Sequence, residues 1–224
     1  MKKEWYHHEL KGYRSNYSDQ GTYQFYPYKS LPTLPNTELT GDFKWLKPEN
    51  GNFEPTIPEE TLQSSFTKLQ KSCIPFGIDV PKSLETLLLN PGLRNAIENS
   101  SITACFFDVS DEIIPFPGSA NEFLVHFFSD QQYCCFWYLH FKNEDELGIL
   151  ISDFLFSSEG KELFTGNEEK IAPNYFMWIS PDLESFILRL VIENSIWRRI
   201  TYGTPTFNNW ERDYLSHYQT EYGR

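Results

Sequence analysis

The chain has 224 residues, of which 40% are hydrophobic and 17% aromatic, and it carries a formal net charge of −12. That length suits one well-filled domain with extensions, and the aromatic content excludes a disordered chain, because so many rings require a packed core. The charge disfavours nucleic acid and anionic membrane as partners, and no uncharged apolar run approaches the ~20 residues that span a bilayer.

The acidity is uneven. Residues 102–182 hold fourteen carboxylates against three lysines, whereas the flanking segments are close to neutral. Such a field favours a basic protein partner. No apolar stretch of a secretory leader follows the first methionine, so a cytoplasmic protein is expected.

Residues 1–55 read as an irregular arm. Tyr6, Tyr13, Tyr17, Tyr23, Tyr26 and Tyr28 recur without a helical or strand period, and Pro27, Pro32, Pro35, Pro48 and Pro55 follow. The arm is expected to pack on the body, since a free tail would expose many rings. Residues 56–224 form the main α+β unit. Its first helix lies in PEETLQSSFTKLQKSC, where Leu62, Phe66, Leu69 and Cys73 share one face and Pro58, Glu59 and Glu60 suit a helix start. VPKSLETLLLNPGLRNAIENS reads as two short helices broken at Asn90-Pro91-Gly92.

From residue 102 the pattern changes to strands: ITACFFDV, NEFLVHFFSD, YCCFWYLHF and LGILISD. Both faces of the central two are apolar, which predicts strands covered on both sides. The short turns DQQ and KNEDE imply antiparallel hairpins, and DQQ lacks the glycine or asparagine of a tight turn, so a looser loop is expected there. SPDLESFILRLVIENSIWRR then predicts a long helix, with Ser180 placed to cap it and Pro181 at its first position. Leu183, Phe186, Ile187, Leu190, Val191 and Trp197 form its apolar stripe. Asn194 falls on that stripe and is read as a structural amide that bonds to backbone. In NNWERDYLSHYQTEYG, Asn208 and Glu211 have capping-box spacing.

Few residues point to chemistry. The chain has no phosphate-binding glycine loop, no nucleophile elbow and no HExxH. Cys73, Cys105, Cys134 and Cys135 match no zinc or disulfide framework, and strand alternation would send Cys134 and Cys135 to opposite faces. His7-His8 with Glu4 and Glu9 make only a weak metal-like cluster. His126 and His140, with Asp130 or Asp153, could support a general base in a small hydrolase. No catalytic residue, metal or cofactor is assigned.

DVPKSLETLLLNPGLRNAI, TACFFDV, FLVHFFSDQQYCCFWYLHF, ESFILRLVIENSIWRRI and DYLSHY occur in that order. Together they resemble the SUKH superfamily, specifically its cell-wall-assembly-regulator-like branch, over about residues 76–218. The resemblance implies a single α+β domain with a central antiparallel sheet flanked by helices. It also implies a non-enzymatic binding protein, a toxin-immunity or regulatory module with no shared catalytic set. Asn90-Pro91-Gly92 departs from the Asn-Gly-Gly turn of many members. The expected contacts with a basic partner are Asp130, Gln131 and Gln132 in one hairpin turn and Glu144, Asp145 and Glu146 in the next. The alternatives are the small hydrolase and a protein with no specific ligand.

Overall fold

The computed structural model describes residues 1–14, 23–48, 55–142, 145–156, 173–203 and 206–221. Its elements are β1 (Glu4–His7), β2 (Gln24–Pro27), α1 (Glu59–Cys73), α2 (Lys82–Leu88), α3 (Pro91–Ser100), β3 (Phe106–Phe107) and β4 (Ile114–Pro115). They continue with β5 (Glu122–Ser129), β6 (Phe136–Lys142), β7 (Asp145–Ser152), β8 (Met177–Ser180), α4 (Leu183–Thr201) and α5 (Asn209–Glu221). The fold is α+β, with an antiparallel sheet ordered β3-β5-β6-β7-β8; β4 pairs with β5 beside β3.

The helical expectations hold at α1, whose buried residues are Leu62, Phe66, Leu69 and Cys73, and at α5, where Asn208 and Glu211 exchange backbone-to-side-chain bonds of 2.7 and 2.9 Å. Two helix starts differ from expectation. Asn90 lies outside α3 and caps it, so Pro91 and Gly92 begin the helix rather than separate it from α2. Asp182, not Ser180, caps α4, because its carboxylate accepts from the Ser185 N–H at 2.7 Å; a carboxylate there also faces the positive helix end.

The sheet is apolar on both faces, as the sequence indicates. Trp137, Leu139, Phe141 and Val125 face α4, while Leu124, Phe136, Tyr138 and Leu150 pack with Phe116, Phe156 and Phe176 on the other side. Register shifts interrupt the β5–β6, β6–β7 and β7–β8 pairs, and the first of them changes which side chains meet α4. A bulge between His126 and Phe128 leaves Phe127 without a partner in β6, so both Phe127 and Phe128 reach the α4 side and meet Phe186 at 6.0 and 6.5 Å. Helix α4 is buried around most of its circumference. Phe186, Ile187 and Leu190 face the sheet cluster, and Leu188, Ile192 and Ile196 pack with Leu10, Tyr214, Leu215 and Tyr218.

The N-terminal arm is more regular than its sequence suggests. Strands β1 and β2 form an antiparallel pair with Trp5 opposite Tyr26. Lys3 bridges in parallel to Trp178 of β8, which brings the pair to the sheet edge. Sixteen residues separate β1 from β2, too many for a two- to five-residue hairpin turn, so no hairpin signal marks the pair in the sequence.

Buried carboxylates hold this arm to the body. Glu193, fully buried on α4, accepts from the Trp5 indole N–H at 2.8 Å, from Arg14 through both guanidinium nitrogens at 2.7 and 2.8 Å, and from the Tyr214 hydroxyl at 2.5 Å. Glu184, the second residue of α4, accepts from the backbone N–H of Gly41 and Phe43 and from the Trp45 indole. Asn194 was expected to bond to backbone. Its amide oxygen instead meets His7 Nε2 at 2.9 Å, because the arm brings a side chain where a strand carbonyl was anticipated.

Gly148 in β7 marks another tight junction. Its φ is +122°, and a Cβ there would lie 2.4 Å from the Ser180 carbonyl oxygen and 2.6 Å from Trp178 Nε1. Gly148→Ala is therefore expected to destabilise the protein by at least ~1–3 kcal/mol through backbone strain, with the collision adding to it. Chemical denaturation would check this, and an unchanged midpoint would show that β8 yields freely.

Candidate functional site

The loop joining β5 to β6 carries the most unusual polar arrangement in the sheet. Asp130 follows β5 and is fully buried. Its N–H donates to the Cys135 carbonyl at 3.0 Å, and its own carbonyl accepts from the Tyr133 N–H at 2.9 Å. Oδ1 accepts from the Gln132 N–H at 2.8 Å, a side-chain turn that replaces the missing glycine. Tyr133 occupies the left-handed region at φ 54°. The expected looser loop is therefore present, and its fastener is Asp130.

Asp130 also reaches the arm. The Tyr23 hydroxyl donates to Oδ2 at 2.7 Å and touches Thr103. Cys134 Sγ lies 3.2 Å from Oδ1, and Cys105 Sγ lies 3.9 Å from Oδ2. Tyr6 stacks on Tyr23 at 4.7 Å, and the Tyr6 hydroxyl bonds to the Cys135 thiol. Burial and the neighbouring Asp130 push the Cys134 thiol up to about 11, and burial raises Cys135 further. Both sulfurs are thus protonated at neutral pH and poorly suited to nucleophilic catalysis.

Cys134 and Cys135 do not point to opposite faces. Both precede β6, and the left-handed Tyr133 breaks the alternation just before them, so their sulfurs lie 3.9 Å apart. Outside them, Gln131, Gln132 and Tyr133 form an exposed tip, with the Tyr133 ring 50% accessible and edge-on to Phe106.

The expected partner contacts do not form one patch. Asp130 faces inward, a correction forced by its bonds to the arm and to its own loop. Asp145 is exposed at the start of β7, Glu146 pairs with Phe141, and Glu144 lies outside the described residues. The two turns stand at opposite ends of β6, about 20 Å apart at ~3.3 Å per residue. Only Gln131 and Gln132 keep the surface position the sequence suggested near Asp130.

His126 and His140 share the sheet face that points away from α4, but each has separate partners. His126 Nε2 lies 3.0 Å from both the Phe128 carbonyl and the Ser129 hydroxyl. His140 Nε2 lies 2.9 Å from Glu122, with its ring stacked on Phe116 at 4.7 Å. Neither meets Asp130, which serves the arm, and Asp153 is exposed. Ser129, His126 and Asp108 are adjacent, but Asp108 contacts the serine at 3.5 Å rather than orienting the imidazole, and Ser129 is fully buried. A hydrolytic triad needs an accessible serine and a histidine held by the acid. His7 is likewise occupied, lying between Asn194 and Glu193 rather than joining His8 in a metal cluster.

No family model, curated protein or solved structure matches the chain. Among the described residues, no group of three or more His, Cys, Asp or Glu is arranged to hold a metal ion, and no helix is long and apolar enough to cross a membrane.

The arm's contribution to the site was missed in the sequence. Tyr6, Tyr23 and Thr103 carry no local motif, and their role exists only once β1–β2 is docked. Asp130→Ala would leave the Gln132 N–H and the Tyr23 hydroxyl without their acceptor, and is expected to cost ~1–3 kcal/mol. A variant as stable as the parent would show that the loop closes without Asp130.

The buried histidines predict the pH response. Burial lowers the pKa of His7, His8, His126 and His140, that of His8 to about 3 and that of His126 to about 4. In the unfolded chain each takes a proton near its ordinary value of 6.5. Stability from these groups is therefore complete above about pH 6.5 and lost as pH falls toward the folded values. Glu98 opposes them, because burial raises its carboxyl to about 7 against the Phe107 N–H and Arg94, and unfolding releases its proton in the same window. Between about pH 6 and 5 His8 and His126 together take up about one proton more on unfolding than Glu98 releases, worth ~1.4 kcal/mol per pH unit, and His7 and His140 act in the same direction. Denaturation at several pH values measures the slope; a stability independent of pH over this range would contradict neutral buried imidazoles.

Proposed function

We propose that the protein is a non-enzymatic binding module, an immunity or regulatory protein of the kind its SUKH-like segments imply, acting in the cytoplasm on a basic partner protein. The observation that carries this reading is the Gln131–Cys134 tip, which is exposed yet fastened from beneath by a buried carboxylate. A tip held in one shape loses little entropy on docking, so its amides and the Tyr133 ring can contribute directly to affinity. The mid-chain excess of carboxylates would steer a basic partner toward the molecule and raise its association rate at low salt.

The reading also accounts for the titratable groups. Asp130, His126 and His140 are each engaged by groups of the chain itself, as expected where polar side chains secure a shape that another protein recognises.

The test is capture of a protein partner from the native cell by the immobilised full chain. Tyr133→Ala combined with Gln132→Ala should weaken capture at least ~10-fold without altering the denaturation midpoint by more than ~0.5 kcal/mol. Raising the salt should slow association. Capture that is indifferent to both the tip and the salt would reject this surface.

A further inference from the structure

We propose that Cys134 and Cys135 form a dithiol site for a trivalent thiophilic metalloid, of the arsenite or organoarsenical class. The pairing depends on the loop geometry described above, which sets the two sulfurs 3.9 Å apart with Cys134 at the surface and Cys135 beneath it.

The spacing discriminates between possible modifications. A disulfide requires the sulfurs to close to ~2.05 Å, and neighbouring Cα atoms ~3.8 Å apart lie below the separation that an unstrained disulfide adopts. A single trivalent atom bonded to both sulfurs spans them through two bonds instead of one, so it needs only a modest closure of the observed 3.9 Å, whereas a disulfide needs nearly half of it removed. The observed separation therefore suits a one-atom bridge and resists direct oxidation. A structural zinc ion needs four ligands held by the protein, and among the described residues no set of three is in place. A trivalent arsenical needs only the two sulfurs and can keep its remaining substituent in the solvent beside Cys134.

The chemistry also suits the protonation state. Cys134 Sγ lies 3.2 Å from Asp130 Oδ1, a geometry in which the thiol hydrogen is donated to the carboxylate. Condensation of an arsenous centre with two thiols breaks two S–H and two As–O bonds and forms two As–S bonds, and the hydroxyl groups leave as two waters. Arsenic remains trivalent and no oxidant is consumed. Asp130 stands where it can relay the first proton to the departing hydroxyl.

The experiment is titration of the intact protein with phenylarsine oxide, read by mass spectrometry and by competition with a small dithiol. One phenylarsenic group should add per chain with loss of two hydrogens. It should resist an excess of monothiol and be removed by the dithiol. Cys134→Ser, at an exposed position, should lose ~10²–10⁴-fold in affinity because the second sulfur no longer acts at high effective concentration. Cys73→Ser, on the distant core face of α1, should bind as the parent does. An adduct that persists in Cys134→Ser, or one that a monothiol removes as readily as a dithiol, would overturn the proposal. These outcomes are independent of partner capture by the Tyr133 tip.

Discussion

The fold depends on Glu193. Moving a carboxylate out of water costs several kcal/mol unless its lone pairs are satisfied, and here they are satisfied by three residues from two parts of the chain: Trp5 and Arg14 from the arm and Tyr214 from α5. Burial alone would raise its pKa; the Arg14 guanidinium and the Tyr214 hydroxyl outweigh that and hold it at about 2. The Arg14 guanidinium is itself buried and lies over the Tyr26 ring at 3.8 Å. The same α4 helix presents Glu184 to Gly41, Phe43 and Trp45. The arm is therefore an integral layer of the domain, which explains why α4 is buried on the side away from the sheet as well as on the side that faces it.

Asp130 applies this logic at the end of the sheet. One carboxyl closes the β5–β6 loop through Gln132, receives Tyr23 from the arm and approaches the Cys134 thiol. Closing the loop in this way gives the exposed tip a definite shape and sets two adjacent sulfurs side by side. Both the proposed docking contact and the proposed dithiol chemistry thus derive from an acid that never reaches solvent. The acidity of the middle segment has an internal use here besides its effect on the surface field.

Much of the body was legible in the sequence. The 4-3-4 spacing from Leu62 to Cys73, the reciprocal cap of Asn208 and Glu211, and the apolar double faces of β5 and β6 are local patterns, and each forms as read. What failed was non-local. A β1–β2 pair joined across sixteen residues has no turn signature, and the Phe127 bulge depends on what α4 offers rather than on neighbouring residues. Asp130 resembles a solvated turn acid in sequence, and only the docked Tyr23 makes it internal. Asn194 was recognisable as a polar residue on an apolar stripe; Glu193, one position earlier, was not, because its partners are 179 and 188 residues away. The cysteine pair was misread because strand alternation was extended into a loop.

The most direct test of this account is a double-mutant cycle on the arm–helix pair, using Arg14→Leu, Glu193→Leu and both together, with stability measured by denaturation. If Glu193 and Arg14 satisfy one another, each single change leaves a buried charge unpaired and costs ~3–5 kcal/mol, while the double change recovers much of that loss, giving a coupling of at least ~2 kcal/mol. Additive losses with no coupling would contradict the claim that this buried pair holds the arm to the body.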